Sequence, residues 1–274
     1  MSQRVVLVTG STDGIGRQTA RQLAAGGMKV IVHGRSKAKV DAAVAALRDE
    51  LPGADFEAVS FDLGTVAGVR RGVEHLLKLA PKLHVLVNNA GIFAAERAMT
   101  EDGVEATFAV NYLGAFALTE LLMPRLIESA AGGPPSRVIC VASVAHTRGR
   151  IHFDDLSLSS AWTSYAAYAQ SKLANVMHAI TLGERLDPKQ VVAYSLHPGV
   201  VNTKLLRQGF GPVQGLAPDA GAKTSVMLAG AESVDHPTGS YFSDGVAAQP
   251  ASTARDVPTR GQLWDVSVNL AKLS

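Results

Sequence analysis

Short β-branched runs alternate with longer segments of helical spacing along most of this chain, and this alternation constrains the possible folds most strongly. Each run is apolar on both faces, which is typical of strands buried in a parallel sheet between two layers of helices. The sequence therefore predicts an α/β fold, a doubly wound parallel sheet with helices on both faces. The predicted strands are Val5 to Thr9, Lys29 to His33, Phe56 to Phe61, Val85 to Val87, Val138 to Val141 and Val191 to Leu196.

The domain organisation follows from the continuity of this pattern. No linker long enough to separate domains interrupts residues 1–274, so a single domain is predicted. From about residue 199 to 240 the pattern loosens, and glycines and prolines cluster there. This region is either a mobile segment on the substrate side of a site or an ordinary connection.

Charge and cysteine content exclude several classes of function. Lys and Arg number 26 against 24 Asp and Glu, so the net charge is +2 and binding to nucleic acid through bulk charge is not expected. Cys140 is the only cysteine, which excludes an internal disulfide and fits a reducing, cytoplasmic setting. The N-terminal apolar run is too short for a secretion signal, and no stretch approaches the roughly 18 apolar residues of a spanning helix, so no membrane anchor is expected.

A glycine-rich turn directly follows the first predicted strand and precedes a helical segment. Glycines in this setting let the backbone approach a pyrophosphate, whose charge is met by free amides and by the helix N-terminus. An ordinary strand-to-helix turn is the alternative, but the position at the first turn of an alternating chain favours a dinucleotide site. The turn reads Thr9-Gly10-Ser11-Thr12-Asp13-Gly14-Ile15-Gly16.

This turn resembles the glycine signature of the short-chain dehydrogenase/reductase family, Thr-Gly-x-x-x-Gly-x-Gly. Three further segments resemble that family in the same order: Asp62-Leu63, Asn88-Asn89-Ala90-Gly91 and Tyr168-Ala169-Gln170-Ser171-Lys172. The resemblance covers nearly the whole chain and implies a Rossmann-type domain that binds a nicotinamide dinucleotide. The implied cofactor-binding residues of the first four strand ends are Gly10, Ser11, Thr12, Asp13, Gly14, Ile15, Gly16, Asp62, Leu63, Asn89, Ala90 and Gly91.

The end of the second predicted strand predicts which dinucleotide is bound. A free ribose 2′-hydroxyl is usually held by Asp or Glu, whereas a 2′-phosphate calls for Arg. Gly34 stands where NAD-dependent family members place Asp, and Arg35 and Ser36 offer donors to a phosphate. NADP(H) is therefore predicted; a solvated Arg35 beside a helix-capping Ser36 is the alternative. By family analogy Asp62 accepts from the adenine amino group, unless it is only a turn carboxylate.

Tyr168 and Lys172 are four residues apart, so both point to one face of a helix. A phenol has an ordinary pKa near 10, and a nearby ammonium stabilises the phenolate. We therefore expect Lys172 to lower the pKa of Tyr168, and by resemblance to hold the nicotinamide ribose. The residue four positions after Tyr165 is an alanine, Ala169, so the same spacing does not place a lysine beside Tyr165.

Two further residues complete the quartet that the resemblance implies. Ser143 follows a predicted strand, which places its hydroxyl at the carboxyl edge of the sheet, where ligands of α/β proteins bind. Asn111 is implied to hold a water that links Lys172 to solvent. With this quartet, the expected chemistry is hydride transfer between NADP(H) and a carbonyl, with Tyr168 as general acid and Ser143 bonded to the same oxygen.

A loop after the sixth strand resembles the nicotinamide side of family members. It comprises Pro198, Gly199, Val200, Val201, Asn202 and Thr203. The Val201 backbone and the Thr203 hydroxyl are implied to bind the carboxamide; a plain Pro-Gly turn is the alternative. Leu205, Leu206 and Phe210 either form an apolar lid or pack against the body of the protein.

Three segments resemble the retinol-dehydrogenase-like branch of the family, whose members act on lipophilic carbonyls and alcohols with NADP. They lie at residues 145–156, 239–244 and 263–267. Membrane-bound members carry an N-terminal hydrophobic anchor that is not found here, so a soluble reductase is expected rather than retinoid turnover. His146 and His152 lack ligands at helical spacing, so structural hydrogen bonding and no metal site are predicted.

Competing functions and the oligomeric state stay open from sequence. A non-catalytic dinucleotide-sensing or interaction protein would keep the glycines, although such proteins can lose the Tyr or Lys that this chain retains. A double-bond reductase of the light-dependent pigment type would share Tyr168 and Lys172. A homodimer or homotetramer would pair through the helical segments 115–130 and 168–186, unless a monomer covers their apolar faces otherwise.

Overall fold

A computed structural model describes residues 3–211 and 214–273, apart from the Phe210 side chain. Within that part of the chain, eight strands form one sheet in the order 3-2-1-4-5-6-7-8. The first seven strands are parallel, and the eighth is antiparallel to the seventh. The strands are β1 (Val5–Val8), β2 (Lys29–Gly34), β3 (Phe56–Ser60), β4 (Val85–Asn88), β5 (Ser136–Val141), β6 (Val191–His197), β7 (Tyr241–Ser243) and β8 (Val246–Ala248).

The segments between the strands are helical, as their spacing predicts. A π-helix, Ala109–Leu113, joins two of the helices, and short 3₁₀ helices follow β5 (Val144–Arg148) and β8 (Ser252–Arg255). The α-helices are α1 (Gly14–Ala25), α2 (Lys37–Glu50), α3 (Val66–Leu79), α4 (Ala106–Phe108), α5 (Gly114–Ser129), α6 (Ser164–Arg185), α7 (Lys204–Phe210), α8 (Pro218–Gly230) and α9 (Val257–Leu270).

The sheet is buried on both faces, which explains why its strands are apolar without alternation. Successive residues of a strand point to opposite faces, so Leu7 packs in the core beneath α3, α5 and α6. Val6 and Val8 pack in a second core beneath α1, α2 and α8. The predicted doubly wound parallel sheet with helices on both faces is therefore confirmed.

Two features of the second half differ from the sequence prediction. Strands β7 and β8 were not predicted, because each has three residues and such a run is too short to show a period. The region predicted as a substrate-side loop, about 199–240, contains the helix α8, which packs on α1 in the core. Pro218 at its first turn starts this helix.

The helical stretch Ala106–Ser129 is, within the described part of the chain, long and apolar enough to cross a membrane by length and composition. Of its most apolar window, however, 78% is buried inside the fold. That burial is typical of a core helix. The stretch has a mean hydropathy of 1.3 and includes polar residues, which is why a search for an uninterrupted apolar run does not find it.

The C-terminal helix α9 covers part of the surface that was predicted to pair subunits. Trp264 of α9 packs edge-on against Phe116 of α5, with ring centroids 5.1 Å apart. The Arg185 guanidinium at the end of α6 lies 4.2 Å from the centroid of the Trp264 ring. Ser267 and Tyr112 share a hydrogen bond of 2.7 Å. The apolar faces of α5 and α6 are thus partly covered by the same chain.

His178 on α6 lies in this aromatic cluster and is 2% exposed. Its ring is 5.0 Å from that of Phe116 and 6.1 Å from that of Trp264, centroid to centroid. Neither ring nitrogen has a hydrogen-bond partner among the described residues. Burial among these rings lowers the pKa of His178 to about 3.

Because His178 is buried in its neutral form, we expect the stability of the protein to fall in acid. Its pKa is about 3 in the folded chain and near 6.5 when unfolded, so the unfolded state binds the proton more tightly and stability is lost as pH falls below 6.5. We expect His178→Leu to raise the free energy of unfolding by about 1 kcal/mol at pH 7, where two unpaired nitrogens disappear, and by about 3 kcal/mol at pH 5. Urea unfolding at both pH values measures the difference.

The matched control is His75→Leu, because His75 is exposed on α3. This variant is expected to change the unfolding free energy by less than about 0.5 kcal/mol at either pH. A His178→Leu protein whose stability falls with pH in parallel with the wild type would contradict the prediction.

Candidate active site

Two cavities meet at the carboxyl edge of the parallel strands. The first, here called the glycine-loop cavity, has a volume of about 390 Å³. The second, the tyrosine cavity, has a volume of about 300 Å³. Because the carboxyl ends of all parallel strands lie at one edge, residues far apart in sequence meet there. The cavities form one continuous groove, since both are lined by Ile15, Asn89, Gly91, Thr203 and Leu205.

The structure brings most of the predicted cofactor-binding residues into the glycine-loop cavity. Ser11 and Ser36 are outside its lining within the described part of the chain. The Ser11 hydroxyl is fully buried, where it donates to the Val8 carbonyl at 2.7 Å and accepts from the His33 amide at 2.9 Å. The predicted cofactor-binding residues that do line the cavity are Gly10, Thr12, Asp13, Gly14, Ile15, Gly16, Arg35, Asp62, Leu63, Asn89, Ala90, Gly91 and Thr203.

The glycine loop is held in shape by neighbouring strand ends. Gly10 has a φ of 64°, and a Cβ there would lie 2.8 Å from the Ala90 Cα, so a side chain would strain the backbone and collide. The side-chain nitrogen of Asn89, Nδ2, donates to the Thr9 carbonyl at 2.7 Å. The His33 ring accepts from the Gly10 amide at 3.2 Å. Asn89 therefore shapes the loop as well as lining the groove.

Asp13 places a carboxylate at the start of α1, where a phosphate is also expected to lie. Its Oδ1 accepts from the Gly14 amide at 2.8 Å, and its Oδ2 lies 3.4 Å from the Lys204 Nζ of α7. The negative charge of Asp13 is thus paired with a cation. This ion pair also joins the glycine loop to α7 across the groove.

The far end of the glycine-loop cavity contains the residues predicted to choose the cofactor. Gly34 is buried, and a Cβ there would lie 2.8 Å from the Thr12 Cγ2. Arg35 is exposed at the rim of the cavity. Ser36 is the N-cap residue of α2 but accepts no capping hydrogen bond from the described helix, so its hydroxyl is not used there. One Asp62 oxygen accepts from the Gly64 amide at 2.8 Å, so Asp62 is a turn carboxylate that also borders the cavity.

The tyrosine cavity brings together Ser143, Tyr168 and Lys172. Ser143 follows β5 and begins the 3₁₀ helix, while Tyr168 and Lys172 lie on one face of α6. Ser143 acts on the Tyr168 phenol as a hydrogen-bonding neighbour that lowers its pKa. The Lys172 Nζ donates to the Val141 carbonyl at 2.9 Å and lies 5.5 Å from the centroid of the Tyr168 ring. The predicted convergence of these three side chains is therefore present.

The expected effect of Lys172 on the phenol is wrong for this structure. Burial raises the pKa of Tyr168 to about 12, the Ser143 hydrogen bond opposes this rise, and the nearby Tyr165 adds to it. Burial also lowers the pKa of Lys172 to about 8. The ammonium is directed at the Val141 carbonyl rather than at the phenol oxygen, which is why it does not offset burial. Tyr168 therefore keeps its proton at neutral pH and is poised as a donor.

Asn111 lies beside this group, within the π-helix, and is 1% exposed. Its side-chain oxygen accepts from the Ile92 amide at 2.7 Å, and its nitrogen donates to Ser171 at 3.0 Å. Asn111 and Lys172 both approach Gly91, at 3.4 and 3.5 Å from the position of a Cβ added there. The side chain thus positions the strand end after β4, and its implied role in holding a relay water stays a prediction.

The rest of the tyrosine cavity is mostly apolar. Leu205 lines both cavities and packs beside Tyr168 and Phe93, while the buried Leu206 lines the tyrosine cavity. These two leucines therefore border the site, while the Phe210 side chain is outside the described residues. The loop residues that were predicted to bind the cofactor and that line this cavity are Pro198, Gly199, Val201 and Thr203.

Several lining residues were not predicted from sequence. Phe93 is outside the described lining of both cavities, but it packs against Tyr168 with the ring centroids 5.3 Å apart. Val144 and Val200 are 52% and 45% exposed at the cavity, and Tyr165, which was set aside, lines it as well. Their neighbours in sequence were the available signal: Phe93 lies two residues after Gly91, Val144 follows Ser143, and Val200 lies inside the Pro198 loop. An apolar cavity with a neutral phenol at its wall can bind an apolar carbonyl and donate a proton to its oxygen.

Comparison with known proteins gives an independent view of this site. The family model described as short chain dehydrogenase matches residues 4–212. That range includes the glycine loop and every residue of the predicted quartet. Residues after 212, including β7, β8 and α9, lie beyond the match.

Individual relatives match over a longer range. A polyprenol dehydrogenase from Mus musculus is 40% identical, with 97% of this chain and 83% of that protein covered. Retinol dehydrogenase 12 from Homo sapiens is 37% identical, with 97% and 86% covered. A crystal structure of an uncharacterized protein from Mycobacterium paratuberculosis is 34% identical, has a TM-score of 0.81, and covers 99% of this chain and 94% of its own.

Proposed function

This chain belongs to the short-chain dehydrogenase family, and on that premise we propose that it is an NADP(H)-dependent oxidoreductase that interconverts an apolar aldehyde or ketone with its alcohol. The observation that carries this proposal is the convergence of Tyr168, Ser143 and Lys172 on an apolar cavity that continues into the glycine-loop cavity. The names of the polyprenol and retinol dehydrogenases support an apolar substrate.

The residues of the groove fit a dinucleotide. A close backbone approach at Gly10 and the N-terminus of α1 suit a pyrophosphate, and the two linked cavities suit a ligand with two separate ring systems. Asp62 would meet the adenine, Thr203 the carboxamide, and Lys172 the nicotinamide ribose. When bound, NADPH supplies the hydride that reduces the carbonyl carbon.

The side chains of the tyrosine cavity supply the proton and the positive charge. The Ser143 hydroxyl hydrogen-bonds the carbonyl oxygen and holds it beside the Tyr168 hydroxyl. Tyr168 then donates its proton to the oxygen as negative charge develops there. The Lys172 ammonium, which lies 5.5 Å from the ring centroid and donates to the Val141 carbonyl, would hold the nicotinamide ribose beside this group. In the reverse direction Tyr168 accepts the proton of an alcohol.

The preference for NADP(H) rests on the end of β2. An aspartate at position 34, as in NAD-dependent relatives, would bring its Cβ to 2.8 Å from the Thr12 side chain. No acidic side chain stands between positions 29 and 40. The exposed Arg35 guanidinium can form two parallel hydrogen bonds to a 2′-phosphate, and the free Ser36 hydroxyl can add a third.

Removing the Arg35 guanidinium tests this preference. We expect Arg35→Ala to weaken NADPH binding about tenfold or more, because charge-assisted hydrogen bonds to a phosphate are worth about 1.5–3 kcal/mol. Binding of NADH is expected to change less than twofold, because it has no 2′-phosphate. Fluorescence titration with both nucleotides measures the two affinities. Lys82→Ala, which removes an exposed cation before β4, is the control and is expected to leave both unchanged.

The proposed activity is tested by following NADPH consumption with a panel of aldehydes, ketones and quinones. The expected result is turnover of apolar members with an alcohol as product. Product analysis also separates the alternatives: a saturated C–C bond in place of the alcohol would indicate a double-bond reductase, and nucleotide binding without turnover across the panel would favour a non-catalytic sensor.

A further inference from the structure

His146 lies directly behind the active site, three residues after Ser143, and is 1% exposed. Its Nδ1 is 2.7 Å from the Ser143 carbonyl oxygen, and its Nε2 is 3.1 Å from the Ala251 amide nitrogen. A carbonyl can only accept and an amide N–H can only donate. The ring therefore carries its single proton on Nδ1 and keeps Nε2 as an acceptor, so both nitrogens are used in one neutral tautomer.

The first of these hydrogen bonds acts on the backbone of Ser143. The same carbonyl also accepts from the His146 amide at 3.0 Å, so two donors fix the plane of this peptide. Ser143 is in an extended conformation, with φ −164° and ψ 158°, and its hydroxyl accepts from the Ala145 amide at 3.2 Å. Rotation of the peptide would move the hydroxyl away from the Tyr168 phenol that it bonds.

The second hydrogen bond joins the active site to the C-terminal part of the chain. Ala251 lies between β8 and the 3₁₀ helix Ser252–Arg255, and the His146 ring packs against the Tyr241 ring of β7 at 4.9 Å between centroids. Both contacts come from residues beyond 212, where the family match ends. The position of Ser143 thus depends on a part of the chain that the family match does not include.

We infer that His146 is a positioning residue, which holds Ser143 against Tyr168 through its Nδ1–H and is itself oriented by the Ala251 amide and the Tyr241 ring. It lies outside the described lining of the tyrosine cavity, so it acts through Ser143 rather than on substrate. The expected effect on rate rests on the proposed carbonyl reduction, whereas the effect on the position of Ser143 does not.

Three substitutions separate hydrogen bonding from packing. His146→Asn keeps an N–H donor at the same number of bonds from Cα as Nδ1, whereas His146→Gln moves the amide one bond further out. His146→Phe keeps a ring against Tyr241 and has no donor. For carbonyl reduction we expect kcat to fall about 10–100-fold in His146→Phe, because small misplacements of a catalytic group have effects of this size. The KM for NADPH is expected to stay within about twofold.

Rescue distinguishes positioning from a general structural role. His146→Asn is expected to recover kcat to within about fivefold of the wild type, while His146→Gln stays close to His146→Phe at a similar Tm. Equal kcat values for the Asn and Gln variants, or a Phe variant with wild-type kcat, would overturn the inference.

Two readouts do not depend on turnover and separate this inference from the proposed function. ¹⁵N NMR of the wild-type imidazoles, with His146→Phe to assign the signal, is expected to show a neutral ring protonated at Nδ1; protonation at Nε2 would overturn the inference. Crystal structures of the Asn and Phe variants are expected to place the Ser143 hydroxyl beside the Tyr168 phenol in the first and displaced by about 1 Å in the second. An unmoved hydroxyl in the Phe variant would overturn it even if no carbonyl is turned over.

Discussion

Replacement of Tyr168 by phenylalanine is expected to lower kcat/KM for carbonyl reduction by about 10²–10⁴-fold, the usual contribution of a general acid. Burial raises the pKa of this phenol to about 12, so the wild-type group is protonated throughout the neutral range and its loss removes the donor itself. The ring stays, and with it the packing against Phe93. Affinity for NADPH is therefore expected to change less than about threefold.

Stopped-flow and steady-state measurements of NADPH consumption, with nucleotide affinity measured separately, test this result. The control is Tyr194→Phe, which removes the hydroxyl of a buried tyrosine on β6 that donates to the His236 carbonyl away from the cavities. That variant is expected to keep at least half of the wild-type kcat/KM. Equal turnover by Tyr168→Phe and the wild type would remove the basis of the proposed mechanism.

Replacement of Lys172 by methionine is expected to lower activity strongly and to stabilise the fold at the same time. The lysine pKa is about 8 in the folded chain against 10.5 ordinarily, so the buried charge costs about 3 kcal/mol below pH 8. Methionine removes that cost but leaves the Val141 carbonyl without its donor, which costs about 1 kcal/mol. We expect the unfolding free energy to rise by about 2 kcal/mol at pH 7, while carbonyl reduction falls about 10²-fold or more.

The stability advantage of Lys172→Met is expected to depend on pH. The unfolded chain binds the lysine proton more tightly between about pH 8 and 10.5, so wild-type stability recovers as pH rises through that window and the advantage of Lys172→Met disappears. Wild-type carbonyl reduction is expected to decline above about pH 8 as the ammonium loses its proton. Urea unfolding and rates from pH 6 to 10 measure both.

Lys189→Met removes an exposed cation just beyond α6 and is the matched control. It is expected to change neither stability nor rate noticeably at any pH. A Lys172→Met protein that is less stable than the wild type at pH 7 would contradict the prediction, because it would show that the buried ammonium stabilises the fold.

The strands and the catalytic helix illustrate what local sequence pattern can specify. All six predicted strands are present, because apolar runs buried on both faces can be satisfied only inside a covered sheet. The spacing of Tyr168 and Lys172 fixes their common face, since four residues make about one helical turn. The glycine loop is recognisable for a similar reason: its backbone conformation requires glycine at Gly10.

Side-chain direction within a motif is less predictable. Ser11 lies inside the glycine signature, yet its hydroxyl is used between β1 and β2 rather than in the cavity. Asp62 serves a turn and the cavity together. Both outcomes depend on which neighbouring strand end presents a free donor or acceptor, and that neighbour is distant in sequence.

The sequence by itself determined the layered sheet and the common helix face of Tyr168 and Lys172, because these follow from periodicity and from spacing along one element, whereas Asn111 joined them only through the resemblance to the family. Only the tertiary structure decided that Tyr168 holds its proton tightly, that Lys172 is directed to the Val141 carbonyl, and that His146 supports Ser143 from behind. Burial and hydrogen-bond geometry are properties of the packed chain, in which residues of different strands and helices first become neighbours.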